Sequence, residues 1–92
     1  MSRAFAVRIG MLPDKRRHPI KRRICEKAIA RTPGLTDWCE TEENGTFLFF
    51  ATLPHAEKAM DAMRRSGNPV SDDIYLAKAD RKTKTYHIEG AL

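Results

Sequence analysis

The stretch Trp38-Cys39-Glu40-Thr41-Glu42-Glu43-Asn44-Gly45-Thr46-Phe47-Leu48-Phe49-Phe50 decides how this chain folds. Runs rich in aromatic and β-branched residues, 38–42 and 46–52, lie on either side of Asn44-Gly45. That dipeptide is the strongest short-range hairpin signal. With Asn44 and Gly45 as the turn, Glu43 pairs with Thr46 and Thr41 with Leu48. Cross-strand partners share a face. One face then carries Cys39, Thr41, Leu48 and Phe50, and the other carries Trp38, Glu40, Glu42, Phe47 and Phe49. Glutamates are costly in a core, so the second face is expected to be open, with Trp38, Phe47 and Phe49 on it. A bulge or a longer loop would reverse the side chains of one strand against the other.

Upstream, Phe5, Val7, Ile9 and Met11 alternate with small or charged residues, which predicts a strand ended by Pro13. A basic loop, Asp14 to His18, follows. Pro19 suits the first turn of a helix. Ile20, Ile24, Cys25, Ala28 and Ile29 recur at helical spacing and are expected to face the core, with Arg22, Arg23, Glu26 and Lys27 on the other side. Pro33-Gly34 stops this helix. Downstream, Pro54 opens a second helix with Ala56, Ala59, Met60 and Met63 on one stripe, and Gly67 is its stop. In the run Ile74 to Lys78, Ile74 and Leu76 share one face and Tyr75 and Ala77 the other. The segment 80–92 begins basic and is either a fifth short strand or a loose arm.

The order is β-α-β-β-α-β. The economical packing is an α+β, ferredoxin-like domain, with a four-stranded antiparallel sheet and two helices on one face. At 92 residues the chain is read as a single domain, 1–92, with its core at about 4–79.

Hydrophobic residues make up 41% and charged residues 32%, which excludes a fibrous or disordered chain. There are 17 Lys and Arg against 12 Asp and Glu, so the net charge of +5 favours an anionic partner. The charge is polarised. Lys15 to Arg31 hold eight bases and one acid, Asp37 to Glu43 hold four acids and no base, and Lys78 to Lys84 hold four bases and one acid. No apolar run approaches the ~18 residues of a membrane span. The first residues lack a signal-peptide core. A cytoplasmic location and no membrane partner are therefore expected.

Catalytic and metal motifs are not apparent. No Gly-rich phosphate loop is present. Cys25 and Cys39 lack a Cys-x-x-Cys partner and are read as buried small hydrophobes. His18, His55 and His87 are scattered, without metal-ligand spacing. Ser2, Ser66 and Ser71 sit at a terminus or in turns. Asp72-Asp73 and Glu42-Glu43 read as solubilised turns rather than an acid–base pair. No enzyme, cofactor or metal is expected.

The run Asn44 to Thr52, followed by Ala56, Ala59 and Met63, resembles the third strand and second helix of an RNA-recognition motif. Met11-Leu12-Pro13 is similar to the end of that family's first strand, and Ile74 to Ala79 to its fourth. The likeness covers most of residues 4–80. It implies the ferredoxin-like fold and base stacking on exposed aromatics of the central strands. Arg8 stands where the family has its first-strand aromatic. Thr46 and Leu48 fall at the third-strand positions in the ungapped alignment, and Phe47 and Phe49 fill them if the register shifts by one.

The residues support a non-enzymatic protein that docks on nucleic acid (RNA or single-stranded DNA) or on a nucleoprotein complex. Arg16, Arg17, Arg22, Arg23 and Lys27 form a cationic row on the first helix and its leading loop, suited to phosphate. Arg8, Lys78, Arg81, Lys82 and Lys84 add charge, and Trp38, Phe47, Phe49 and Tyr75 form a candidate stacking surface. In size and architecture only, the chain is similar to small phage inhibitors of the anti-CRISPR group. That alternative implies blocking of an RNA-guided surveillance complex through its protein subunits and guide RNA, in the host cytoplasm. A third reading is a ligand-sensing or oligomerising module whose exposed aromatics are buried in a homodimer.

Overall fold

A computed structural model describes residues 2–80 and 82–92. In chain order the elements are β1 (Ser2–Ile9), α1 (Pro19–Ala30), β2 (Leu35–Thr41), β3 (Gly45–Phe50), α2 (Leu53–Arg65), β4 (Val70–Asp80) and β5 (Thr85–Ala91). All strand pairings among them are antiparallel, in the order β2-β3-β1-β4-β5. The fold is α+β, with two helices and a five-stranded sheet in place of the expected four. The extra strand is the segment after Lys84, which pairs with β4 from Asp80↔Thr85 to Tyr75↔Ala91.

The main core lies between the sheet and both helices. Val7, Leu48, Phe50 and Ile74 from the strands meet Ile29 of α1 and Ala56 and Ala59 of α2. Phe5, Ile9, Leu35, Trp38, Met60 and Met63 close its rim. The α2 stripe is as its spacing predicts. Small residues at 56 and 59 let α2 sit directly on β1, β3 and β4, whereas α1 stands further off the sheet. Thr52 caps α2, its hydroxyl accepting from the His55 amide, with Pro54 in the first turn.

The β2–β3 turn differs from the two-residue reading. Thr41 pairs with Gly45, Glu40 with Thr46, Cys39 with Phe47 and Trp38 with Leu48. A two-residue type I′ turn needs positive φ at both central positions. Gly45 has φ +83°, but Asn44 is not in the positive-φ region. The chain therefore turns over Glu42, Glu43 and Asn44, and Gly45 opens β3. A Cβ at Gly45 would collide with the Ile9 carbonyl oxygen. The Thr41 hydroxyl donates to the Gly45 carbonyl at 2.8 Å and accepts from the Asn44 amide at 3.1 Å, which holds the longer turn.

The register moves by an odd number of residues, so β2 is inverted against β3. Phe47 and Phe49 do lie on the face away from the helices, as expected. Trp38 and Glu40 do not accompany them; they lie on the helix side, and Cys39 takes the opposite face beside Phe47.

That second face is not open. Phe47 and Phe49 are 7% and 0% exposed, inside a second cluster with Ala4, Ala6 and Ala77, bordered by Cys39, Tyr75 and Tyr86. The Tyr86 ring stacks on Phe49 with centroids 3.8 Å apart and planes 10° from parallel, and Tyr75 meets Phe47 edge-on at 6.0 Å. In a flat sheet β5 would lie three strand spacings, about 14 Å, from β3. The β4–β5 ribbon must therefore curl across the face. The alanines of β1 and β4 leave the depth for it, so the expected exposure of Phe47 and Phe49 is overturned by packing from a strand the four-stranded reading lacked.

Candidate functional site

Helical spacing puts Arg22, Cys25 and Ile29 on one face of α1. This is the face turned inward: Ile29 is buried, and Arg22 and Cys25 are half-buried. Ile20 and Ile24, expected in the core, are 77% and 62% exposed. This rotation accompanies a charge pair. The longer turn puts Glu40, partly exposed, on the helix side of the sheet with room for a counter-charge. Arg22 supplies it with a bidentate grip, Nη1 to Oε1 at 2.9 Å and Nη2 to Oε2 at 2.6 Å, while Nε donates to Glu26 Oε1 at 2.7 Å. Rolling α1 to bury Ile20 and Ile24 would pull this guanidinium off its carboxylates.

Arg22 is thus an internal tie rather than the docking cation it was expected to be. Its side chain is 14% exposed, and bonds to Glu40, then Glu26, raise its pKa above the ordinary arginine value. The other cations of this region are free. Lys15, Arg16, Arg17, Lys21, Arg23, Lys27 and Arg31 are exposed and, among the described residues, form no ion pair. The loop that presents the first of them is ordered by Asp14. Its carboxylate accepts from the Arg16 amide at 2.8 Å, and its carbonyl accepts from the His18 amide at 2.8 Å. The result is a cationic band along the turn 14–18 and the outer side of α1.

The remaining candidates do not join that band. Trp38 packs at the rim of the main core, and Phe47, Phe49 and Tyr75 belong to the second cluster. No stacking platform is presented to solvent by these residues. Arg8 is half-buried on the face of Phe47, its register partner. Lys78 is paired with Glu89 at 3.0 Å. Lys82 and Lys84 are exposed in the β4–β5 turn. Arg81 lies outside the described residues. Because β1 and β4 run antiparallel from Ser2↔Ala79 to Ile9↔Val70, that turn lies at the opposite end of the sheet from the loop entering α1, roughly 23 Å away along β1.

The covered face has its own electrostatics. Burial raises the Tyr86 pKa, and the Asp37 carboxylate on β2 adds to it. Burial, then Asp37, raises the Cys39 pKa as well. Both cysteines are free and half-buried, less enclosed than their spacing suggested. Cys25 lines an apolar groove of about 260 Å³ with Met11, Leu12, Ile29, Met63 and Pro69. Among the described residues no three His, Cys, Asp or Glu side chains gather into a metal-binding group, and no helix is long and apolar enough to cross a membrane.

The outward Ile20 and Ile24 were missed because their spacing alone reads as a core stripe. The sequence did carry a signal for the closed face: Ala4, Ala6 and Ala77 are small residues on it, and Tyr86 lies in the segment 80–92 that could add a strand. No protein-family model matches this chain, and no curated protein or solved structure gives a significant match to it.

Proposed function

We propose that this chain is a non-enzymatic binding protein that docks on nucleic acid, alone or within a nucleoprotein complex, through the cationic band of α1 and the turn before it. The observation that carries this reading is the contrast within one short segment. Arg22 is consumed by internal carboxylates, while seven neighbouring cations, Lys15, Arg16, Arg17, Lys21, Arg23, Lys27 and Arg31, have no counter-charge within the described chain. Arginines predominate in the band, and guanidinium groups match phosphate bidentately. The strand order β2-β3-β1-β4, with both helices on one face, supports a ferredoxin-like kinship of the kind RNA-recognition motifs have. The use of the sheet would differ, because Tyr86 closes the face on which such domains stack bases. Binding would be electrostatic and weakly sequence-selective.

The test is fluorescence anisotropy with single-stranded RNA and DNA across a salt series. Affinity is expected to fall log-linearly with salt, and Arg16→Ala/Arg17→Ala/Arg23→Ala/Lys27→Ala to lower the slope by about 0.7 per contacting cation removed. No binding of either strand at about 50 mM salt would overturn the reading.

A further inference from the structure

On α1, Ile20 and Ile24 stand one turn apart on the outer side of the helix, 77% and 62% exposed. Single exposed aliphatic residues are ordinary, but this pair has a particular surround. Residues three apart on a helix are surface neighbours. The helical neighbours at that spacing are Arg23 beside Ile20, and Lys21 and Lys27 around Ile24; Arg17 lies in the turn just before the helix. All four are exposed and, among the described residues, none is ion-paired. Two branched apolar side chains therefore sit inside a frame of free cations, on a helix whose inward face is already committed through Ile29 and Arg22.

We infer that this face of α1 is a protein-docking site for an acidic amphipathic helix, with Ile20 and Ile24 inserted into its apolar seam and Arg17, Lys21, Arg23 and Lys27 facing its carboxylates. Charge complementarity selects this occupant. A phosphate backbone would satisfy the cations but give the isoleucines nothing to bury against. A second copy of the same face would set four cations against four. A membrane surface needs a broad apolar face, and here the opposite side of the helix is held in the core. An acidic helix meets both demands, with apolar anchors at the centre and a charged rim. The inference rests on the reading of α1 as a docking surface; because Arg17, Arg23 and Lys27 would serve either partner, the acidic helix and a nucleic-acid strand are expected to compete for this face.

The probe is a labelled synthetic peptide of about 21 residues, with leucines at helical a and d spacing and glutamates elsewhere. Polyglutamate, a single-stranded RNA and phosphatidylglycerol vesicles are titrated beside it. The wild-type chain is expected to bind the amphipathic peptide at least about tenfold more tightly than polyglutamate. Ile20→Ala/Ile24→Ala, which keeps a strong helix former at each position, is expected to lose that difference while binding RNA as the wild type does. Ile20→Leu/Ile24→Leu should restore most of it. Equal affinity for the peptide and polyglutamate would overturn the inference. So would peptide binding unchanged in the alanine variant, or vesicle binding that alone depends on the isoleucines. Absence of RNA binding by the wild type, with peptide binding intact, would instead count against the nucleic-acid reading, so the two failures are distinct.

Discussion

Arg22 shows how one side chain orients a helix. It touches Glu26 on its own helix and Glu40 on β2, so it fixes both the rotation of α1 and its seat on the sheet. Its neighbour Arg23 has the same charge but is exposed and unpaired among the described residues. Arg22→Ala leaves Glu40 without its partner and is expected to cost about 1–2 kcal/mol, less than a fully buried pair because solvent reaches both groups. Arg23→Ala should stay within about 0.5 kcal/mol. Urea denaturation of the two variants checks the difference; equal midpoints would mean that the Arg22–Glu40 contact holds nothing in place. Seen at this scale, a Glu at position 40 was read as forbidding the helix side, yet a paired glutamate is admissible there. The pairing partner lies 18 residues away in sequence, beyond what periodicity can report.

The β4–β5 ribbon is the element that changes the reading of the sheet most. Through Tyr86 it stacks on Phe49 of β3. Folding therefore favours the neutral phenol, and the folded-state pKa of Tyr86 lies above its ordinary value of 10.0. The native state then holds more protons than the unfolded chain above that value, so the stabilisation is complete below pH 10 and is lost as pH rises through the folded pKa. Cys39 acts in the same direction, beginning from its ordinary value of 9.0. Melting temperature is expected to decline from about pH 9 upward. Tyr86→Phe keeps the stack and should flatten the part of the decline above pH 10. An identical alkaline profile in that variant would remove Tyr86 from this role. The β5 strand itself was legible only as one of two options, because Tyr86 and Ile88 are few apolar residues in a basic segment. Its place over Phe49 depends on the depth left by Ala4, Ala6 and Ala77, which is a property of β1 and β4 together.

Across the whole molecule, the basic sequence stretches do not merge. The chain extends 36 × 30 × 22 Å, and antiparallel β1 and β4 put the Lys82 and Lys84 turn and the loop into α1 at opposite ends of the sheet. Their separation of roughly 23 Å exceeds two Debye lengths at physiological salt, about 8 Å each. An oligonucleotide of about three residues is too short to engage both ends, even when extended to about twice the 3.4 Å per-strand rise of the duplex. Lys82→Ala/Lys84→Ala is expected to change its affinity by less than about twofold, while the four-cation α1 variant weakens it by more than about tenfold. An equal loss in both, measured by anisotropy at one salt concentration, would move the binding surface to the sheet end.

Local chemistry in the sequence was enough to determine the order of the first six elements, both prolines that open helices and the α2 core stripe. Each of these depends on neighbours within a few residues, where periodicity and turn residues act. Tertiary structure alone decided the length of the β2–β3 turn, the rotation of α1, the burial of the aromatic face and the separation of the basic ends. Those depend on which distant groups meet: the Ile9 carbonyl against Gly45, Glu40 against Arg22, and Tyr86 against Phe49. Steric exclusion, charge pairing and ring stacking act over a few ångströms in space, whatever the distance along the chain.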